Sequence, residues 1–147
     1  MLKITKYSKK FFHRVLPLLK EGTSGWGKSW INEIIGAYAE QRGEAYLAQD
    51  EDRIVGTILL RKEVRALVIY FLAVKEEERR KNIGSSLVKF AEKIAKRERR
   101  ILRVDVAKEF ENNTKFYFKL GFRKCGRVKN FYQQCDEQIF LYKVPSK

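Results

Sequence analysis

The chain has 147 residues, enough for one domain to bury a core without disulfide or metal staples. Its 44% hydrophobic and 13% aromatic content excludes an intrinsically disordered chain. Thirty-two Lys and Arg against 18 Asp and Glu give a net charge of +14, which favours an anionic partner and disfavours polycationic acceptors such as polyamines. The longest apolar run, Ala66 to Val74, falls far short of the ~20 residues that span a bilayer, so no membrane partner is expected. Met1 to Tyr7 lacks the apolar region of a signal peptide, and a cytoplasmic location is the expectation. Cys125 and Cys135 lack metal-ligand spacing, and no metal is expected. They read as free thiols or as a pair meeting across a hairpin.

In chain order, Leu2 to Tyr7 predicts a first strand with Leu2 and Ile4 on one face. Ser8 is placed to cap a helix running through Phe11, Phe12, Val15, Leu16, Leu18 and Leu19 to about Gly22, with Pro17 kinking or breaking it. His13, the single histidine, falls on an exposed helical face and takes no catalytic role. Thr23 to Ser29 reads as a flexible loop, and Ser29 or Asn32 opens a second helix to about Arg42. Ala45 to Gln49 and Arg53 to Arg61 form a hairpin across the charged turn Asp50-Glu51-Asp52. The nearly continuous apolar stretch 66–74 predicts a central strand covered on both faces.

A helix from Ser85 to about Arg99 follows, burying Leu87, Val88, Ala91, Ile94 and Ala95. Ile101 to Val106 is a strand with Leu102, Val104 and Val106 on one face and Arg103 and Asp105 on the other. Asn112 or Asn113 caps a short helix to Leu120, ended by Gly121. Phe122 to Val128 and Gln138 to Val144 close the chain as paired strands.

Between the central strand and its helix lies Arg79-Arg80-Lys81-Asn82-Ile83-Gly84-Ser85. Strand, basic loop, helix is a physical recipe for holding a diphosphate. The first N–H groups of a helix lack intrahelical partners, the macrodipole is positive there, and Arg or Lys adds full charge. No Gly-Lys-Ser/Thr follows, so the loop is not of the Walker type, and the three-glycine dinucleotide pattern is absent too. Ten Lys and Arg against two acids fall between residues 79 and 103. Most of these cations read as the solvated side of an amphipathic helix, leaving Arg79, Arg80 and Lys81 for phosphate.

Residues 79–87, with Leu72-Ala73-Val74 before them, resemble the acetyl-CoA loop and fourth strand of the GCN5-related N-acetyltransferases, whose loop pattern is Arg/Gln-x-x-Gly-x-Gly/Ala. Asn113-Thr-Lys-Phe-Tyr117-Phe-Lys-Leu-Gly121-Phe122 resembles that family's second signature. The resemblance covers residues 44–144 and implies a mixed α/β (α+β) single domain over 1–147. Its sheet would be central, splayed and mostly antiparallel, with about seven strands and about four helices. Two positions depart from the pattern. Asn82 stands where the family has Gly, and Asn is the non-glycine residue that best tolerates positive φ, so Asn82 is expected there. Phe110 stands where the family often has a CoA-contacting Asn, which leaves Asn112 or Asn113 for that contact.

The resemblance further implies acetyl transfer from acetyl-CoA to a primary amine without a covalent enzyme intermediate. The loop, Arg79 to Ser85, would hold the diphosphate, and Leu72, Ala73 and Val74 would serve the pantetheine arm and thioester oxygen through backbone groups. Tyr117 matches the tyrosine aimed at the CoA sulfur and would act as the acid. Asp105 matches the position of a catalytic Glu in ribosomal-protein N-terminal acetyltransferases. It stands as the base or, equally, as a surface partner of Arg103, with Glu63, Glu109 and Glu111 as weaker alternatives. Trp26 and Trp30 are candidates for an acceptor groove or for plain packing. Phe131 and Tyr132 are either hairpin aromatics or a grip on a peptide N-terminus.

An α-amine, with pKa ~7.7–8.0 against ~10.4 for lysine, is the easier acceptor by roughly 3.5 kcal/mol. A protein or peptide amine is therefore expected, with a small-molecule amine as the alternative. A non-catalytic basic module binding RNA or ribosomes remains a third reading, with nucleic acid not favoured. Either a monomer or a homodimer fits.

Overall fold

A computed structural model describes residues 1–108, 110–129 and 137–145. In chain order it has β1 (Leu2–Lys6), α1 (Phe12–Gly22), α2 (Lys28–Ala39), β2 (Glu44–Asp50), β3 (Arg53–Lys62), β4 (Ala66–Val74), α3 (Ile83–Arg97), β5 (Ile101–Ala107), α4 (Glu111–Lys119), β6 (Arg123–Lys129) and β7 (Glu137–Lys143). The strands form one open, mostly antiparallel sheet in the order β1-β2-β3-β4-β5-β7-β6, with β4 and β5 parallel. The mixed α/β architecture of seven strands and four helices is the expected one. By compactness the chain divides into two units, Met1–Arg61 with Tyr70–Phe90, and Lys62–Ile69 with Ala91–Lys147.

In the first unit, Val15, Leu18 and Leu19 of α1 and Ile34, Ala37 and Tyr38 of α2 pack in one core with Leu47, Phe71 and Ala73. Gly22 permits that packing: a Cβ there would stand 2.8 Å from both Ala73 Cβ and Phe71 Cζ. Buried hydroxyls inside this unit are paired, as burial demands. Tyr7 donates to the Tyr38 carbonyl at 2.8 Å, and the Tyr38 and Thr57 hydroxyls meet at 2.8 Å. Thr57 in turn donates to the Tyr46 carbonyl.

In the second unit, β4 and β5 pair over Ala66–Ile69 and Ile101–Val104, and β5 pairs with β7 from Leu102↔Lys143 to Ala107↔Gln138. Burial alternates along β5 as expected, Leu102, Val104 and Val106 inward.

Backbone groups, not side chains, cap the starts of α1, α2 and α4, and this corrects several sequence expectations. A single 3₁₀ turn, Lys9–Phe11, precedes α1, and Ser8 contributes its carbonyl to Phe11 N–H at 2.9 Å with no side-chain cap. Pro17 does not break α1, which runs through it; a proline forfeits one i→i−4 bond, here to His13, at the middle of the helix. Neither Ser29 nor Asn32 opens α2; the Gly27 carbonyl receives Trp30 and Ile31 N–H. Asn112 and Asn113 do not cap α4 either, because the helix starts at Glu111 and its N-cap is Phe110.

Three helices end alike. Gln41, Arg99 and Gly121 take left-handed φ values of 54°, 57° and 93°. The following N–H then reaches back five residues, Arg42 to Ala37, Arg100 to Ala95 and Phe122 to Tyr117. This is the Schellman arrangement, and only Gly121 announced it in sequence. It stops α2 at Ala39, short of the expected Arg42, and α3 at Arg97.

Candidate active site

The loop and strand belong to the first unit. After β4 the chain makes a 3₁₀ turn, Glu76–Glu78, and Arg79 is extended. Arg80 and Asn82 then take φ of 68° and 63°, and α3 begins at Ile83, two residues earlier than expected. Asn82 adopts the positive φ expected of it; Arg80 does so without any sequence warning. The Asn82 carbonyl accepts both the Ser86 N–H and the Ser86 hydroxyl, at 3.0 and 2.9 Å, which closes the first turn of α3. The N–H groups of Ile83, Gly84 and Ser85 open the helix, where a helix has no partner of its own to offer them. The side chains of Arg79, Arg80 and Lys81 are exposed.

Three residues that sequence reasoning passed over hold this loop. Glu78 has a side chain only 5% exposed, and its two oxygens take Arg53 at 2.5 Å and Lys81 at 2.7 Å. The Lys81 ammonium and then the Arg53 guanidinium hold its carboxyl below the ordinary glutamate pKa. Glu21 Oε1 accepts the Glu76 N–H at 2.8 Å, tying α1 to the start of the loop. Gly56 of β3 lies beneath the helix start: a Cβ there would stand 3.1 Å from Ile83 Cγ2 and 3.2 Å from both Leu87 Cδ1 and the Ala73 carbonyl. The sequence offered one faint signal, three consecutive glutamates directly before a basic triplet.

Ala73 is buried, and Leu72 and Val74 are half-buried on the same strand. The Val74 carbonyl accepts Arg79 Nε at 3.3 Å. Trp26 packs edge-on against Phe71, ring centres 5.9 Å apart. This is a packing contact with the same strand that the resemblance assigns to the pantetheine arm. Trp30 is exposed.

Tyr117 and Asp105 belong to the second unit. Tyr117 is 5% exposed and lies edge-on to both Phe116 and Phe122, at 5.0 and 5.2 Å. Its carbonyl takes the Phe122 N–H across the Gly121 turn. The spacing from Tyr117 to Leu120-Gly121-Phe122 is thus a device for fixing the ring. Burial raises the phenol above the ordinary tyrosine pKa, so it stays protonated at neutral pH.

Asp105 Oδ1 stands 3.2 Å from Arg103 Nε, and Arg103 Nη1 reaches Glu63 Oε1 at 3.0 Å. The surface pair weighed in sequence is therefore formed, with Glu63 added to it. Burial raises the Asp105 pKa above the ordinary aspartate value, against the lowering pull of Arg103. Asn113 is exposed in the first turn of α4, its N–H on the Phe110 carbonyl. Phe131, Tyr132, Cys135 and Glu109 lie outside the described residues. Cys125 is an exposed free thiol. Among the described residues, no helix is long and apolar enough to cross a membrane.

The loop before α3 and the Tyr117 stretch are the two segments whose sequence resembles an acetyltransferase, and comparison with known proteins gives the class. The family model described as Acetyltransferase (GNAT) family matches residues 12–122, and the chain belongs to that family. It is 29% identical over 126 residues to the 5-NmdU N-acetyltransferase of Pseudomonas phage PaMx11, covering 84% of this chain and 76% of that protein. The structure is similar to a GNAT family acetyltransferase from Elizabethkingia anophelis solved with acetyl-CoA bound (TM-score 0.80, 22% identity, 97% of each chain). It is also similar to the ribosomal-protein-S18-alanine N-acetyltransferase from Escherichia coli (TM-score 0.82, 14% identity, 100% of this chain and 96% of that one). At these identities the solved structures share the fold. Family membership and the N-acetyltransferase relative support an acyltransferase.

Proposed function

We propose that the chain acts as one N-acetyltransferase domain that moves the acetyl group of acetyl-CoA directly onto a primary amine. The single observation that carries this reading is the loop: left-handed Arg80 and Asn82 bring the chain into the start of α3, where unpartnered N–H groups suit a diphosphate. Arg79 and Arg80 supply charge, and the backbone from Lys81 to Ser85 supplies donors. Asn112 or Asn113 adds a further contact to the coenzyme. The β4–β5 ladder ends at Ile69↔Val104 while β4 continues to Val74, which supports backbone pairing of Leu72, Ala73 and Val74 with an extended amide arm.

The amine nitrogen attacks the thioester carbonyl, and the carbon–sulfur bond breaks. Asp105, directly or through a water, takes the proton from the ammonium form of the acceptor, and its raised pKa brings it nearer to that task. Tyr117 gives its proton to the leaving thiolate, and the second proton that the nitrogen sheds on becoming an amide restores the phenol. Trp26 and Tyr132 are assigned to the acceptor side.

The acceptor is a protein or peptide amine, favoured by the lower basicity of an α-amine. A second reading is a small-molecule amine. It is favoured by the phage relative, whose name gives its acceptor as 5-NmdU, and the net charge of +14 suits an acceptor bearing negative charge. Incubation with acetyl-CoA and either peptides with free or blocked N-termini or 5-NmdU separates the two. The first reading expects thiol release and one acetyl of added mass on free N-termini only. Thiol release with 5-NmdU alone moves the assignment to the second, and release with neither overturns both.

A further inference from the structure

We infer that Glu78 is a positioning residue for the diphosphate loop, holding its backbone in shape from beneath through Arg53 and Lys81. The inference rests on the reading of residues 79–84 as that loop. A carboxylate under an anion site is unfavourable on charge alone, since it cancels one of the cations around it. Glu78 is nonetheless buried there, and each of its oxygens is engaged by a different cation. Arg53 begins β3, so one oxygen is tied to the sheet. Lys81 sits between the two left-handed residues Arg80 and Asn82, so the other is tied to the middle of the loop. The Glu21 bond to the Glu76 N–H fixes the same turn from α1.

A short excursion through two positive φ values is costly for non-glycine residues, and it persists where surrounding contacts over-determine it. Glu78 supplies that contact. The Lys81 ammonium then acts as a strut, and Arg79 and Arg80 remain as the cations that face an incoming diphosphate.

The sign of a charge-removing substitution separates this role from electrostatics. If the loop attracted its ligand by charge alone, Glu78→Gln would make the site more positive and CoA would bind more tightly. If Glu78 positions the loop, Glu78→Gln weakens CoA binding, and Glu78→Asp weakens it too while leaving the net charge unchanged. Calorimetric titration of CoA is expected to give dissociation constants raised about tenfold or more for both variants. Pantetheine, which has no diphosphate, should change by less than roughly twofold when its weak binding is followed by NMR. Unchanged or tighter CoA binding by the folded variants overturns the inference, and the aspartate variant carries the test should the glutamine variant not fold. Equal weakening of CoA and pantetheine also overturns it, because the role is then general to the fold. Gly84→Leu and Arg79→Gln serve as reference. If they leave CoA affinity untouched, the loop reading itself falls; if they weaken it and the Glu78 variants do not, only the positioning role falls.

Discussion

Arg103 Nε stands 3.2 Å from Asp105 Oδ1, two positions along the same face of β5, and the other arm of the guanidinium reaches Glu63. Burial raises the Asp105 pKa and Arg103 opposes that rise. Replacing Arg103 by Met removes the opposing charge and hydrogen bond, so the pKa climbs further. If Asp105 is the base, the acid limb of the rate–pH profile moves to higher pH in Arg103→Met. A limb that stays in place removes Asp105 from proton transfer, leaving it a partner of Arg103 only.

Tyr117→Phe deletes the phenol hydroxyl and keeps the ring that packs on Phe116 and Phe122. Because the ring contacts stay, the fold is expected to lose little stability. Turnover is expected to fall by about 10²-fold, the low end for loss of a general acid, with CoA affinity unchanged and the thermal midpoint nearly so. Steady-state kinetics beside calorimetry and thermal unfolding check this, and wild-type turnover takes Tyr117 out of the mechanism.

Gly121→Ala acts on the same ring from the backbone. At φ 93° any side chain is strained, and a Cβ would stand 3.2 Å from Lys143 Cε. The expected cost is about 1–2 kcal/mol in unfolding free energy, read from a denaturant titration. Turnover should drop as well, because the Gly121 turn sets the Phe122 bond to the Tyr117 carbonyl. CoA affinity should hold.

Asn82 tests the loop conformation. Asn82→Gly should be close to neutral for stability and CoA binding, since glycine tolerates φ 63° without a Cβ. Asn82→Val should cost about 1–2 kcal/mol at that φ and raise the CoA dissociation constant. Two variants of equal affinity would mean that the left-handed backbone plays no part in binding.

The central strand was legible to the residue because a run of apolar side chains buried on both faces has few other homes. The basic loop was legible because its cations, Asn82 and a helix pattern stand in one short stretch. The helix ends were not, because serine and asparagine suggest side-chain caps, whereas Gly27 and Ser8 cap through carbonyls and Gln41 and Arg99 turn left-handed without glycine. Glu78 was hidden by its neighbours: three glutamates in a row read as solvated charge, and only the fold brings Arg53 over the third. Gly56 was likewise silent, since its use depends on Ile83 and Leu87 crossing above it. Asp105 could not be resolved by sequence because a base and an ion-pair partner need the same carboxylate.

The loop assignment is tested most directly by a crystal structure of the protein with CoA. The account predicts the diphosphate against the backbone N–H groups of Ile83, Gly84 and Ser85, with the Arg79 and Arg80 side chains beside it and the Lys81 ammonium still on Glu78. Diphosphate density away from residues 79–85 would contradict it.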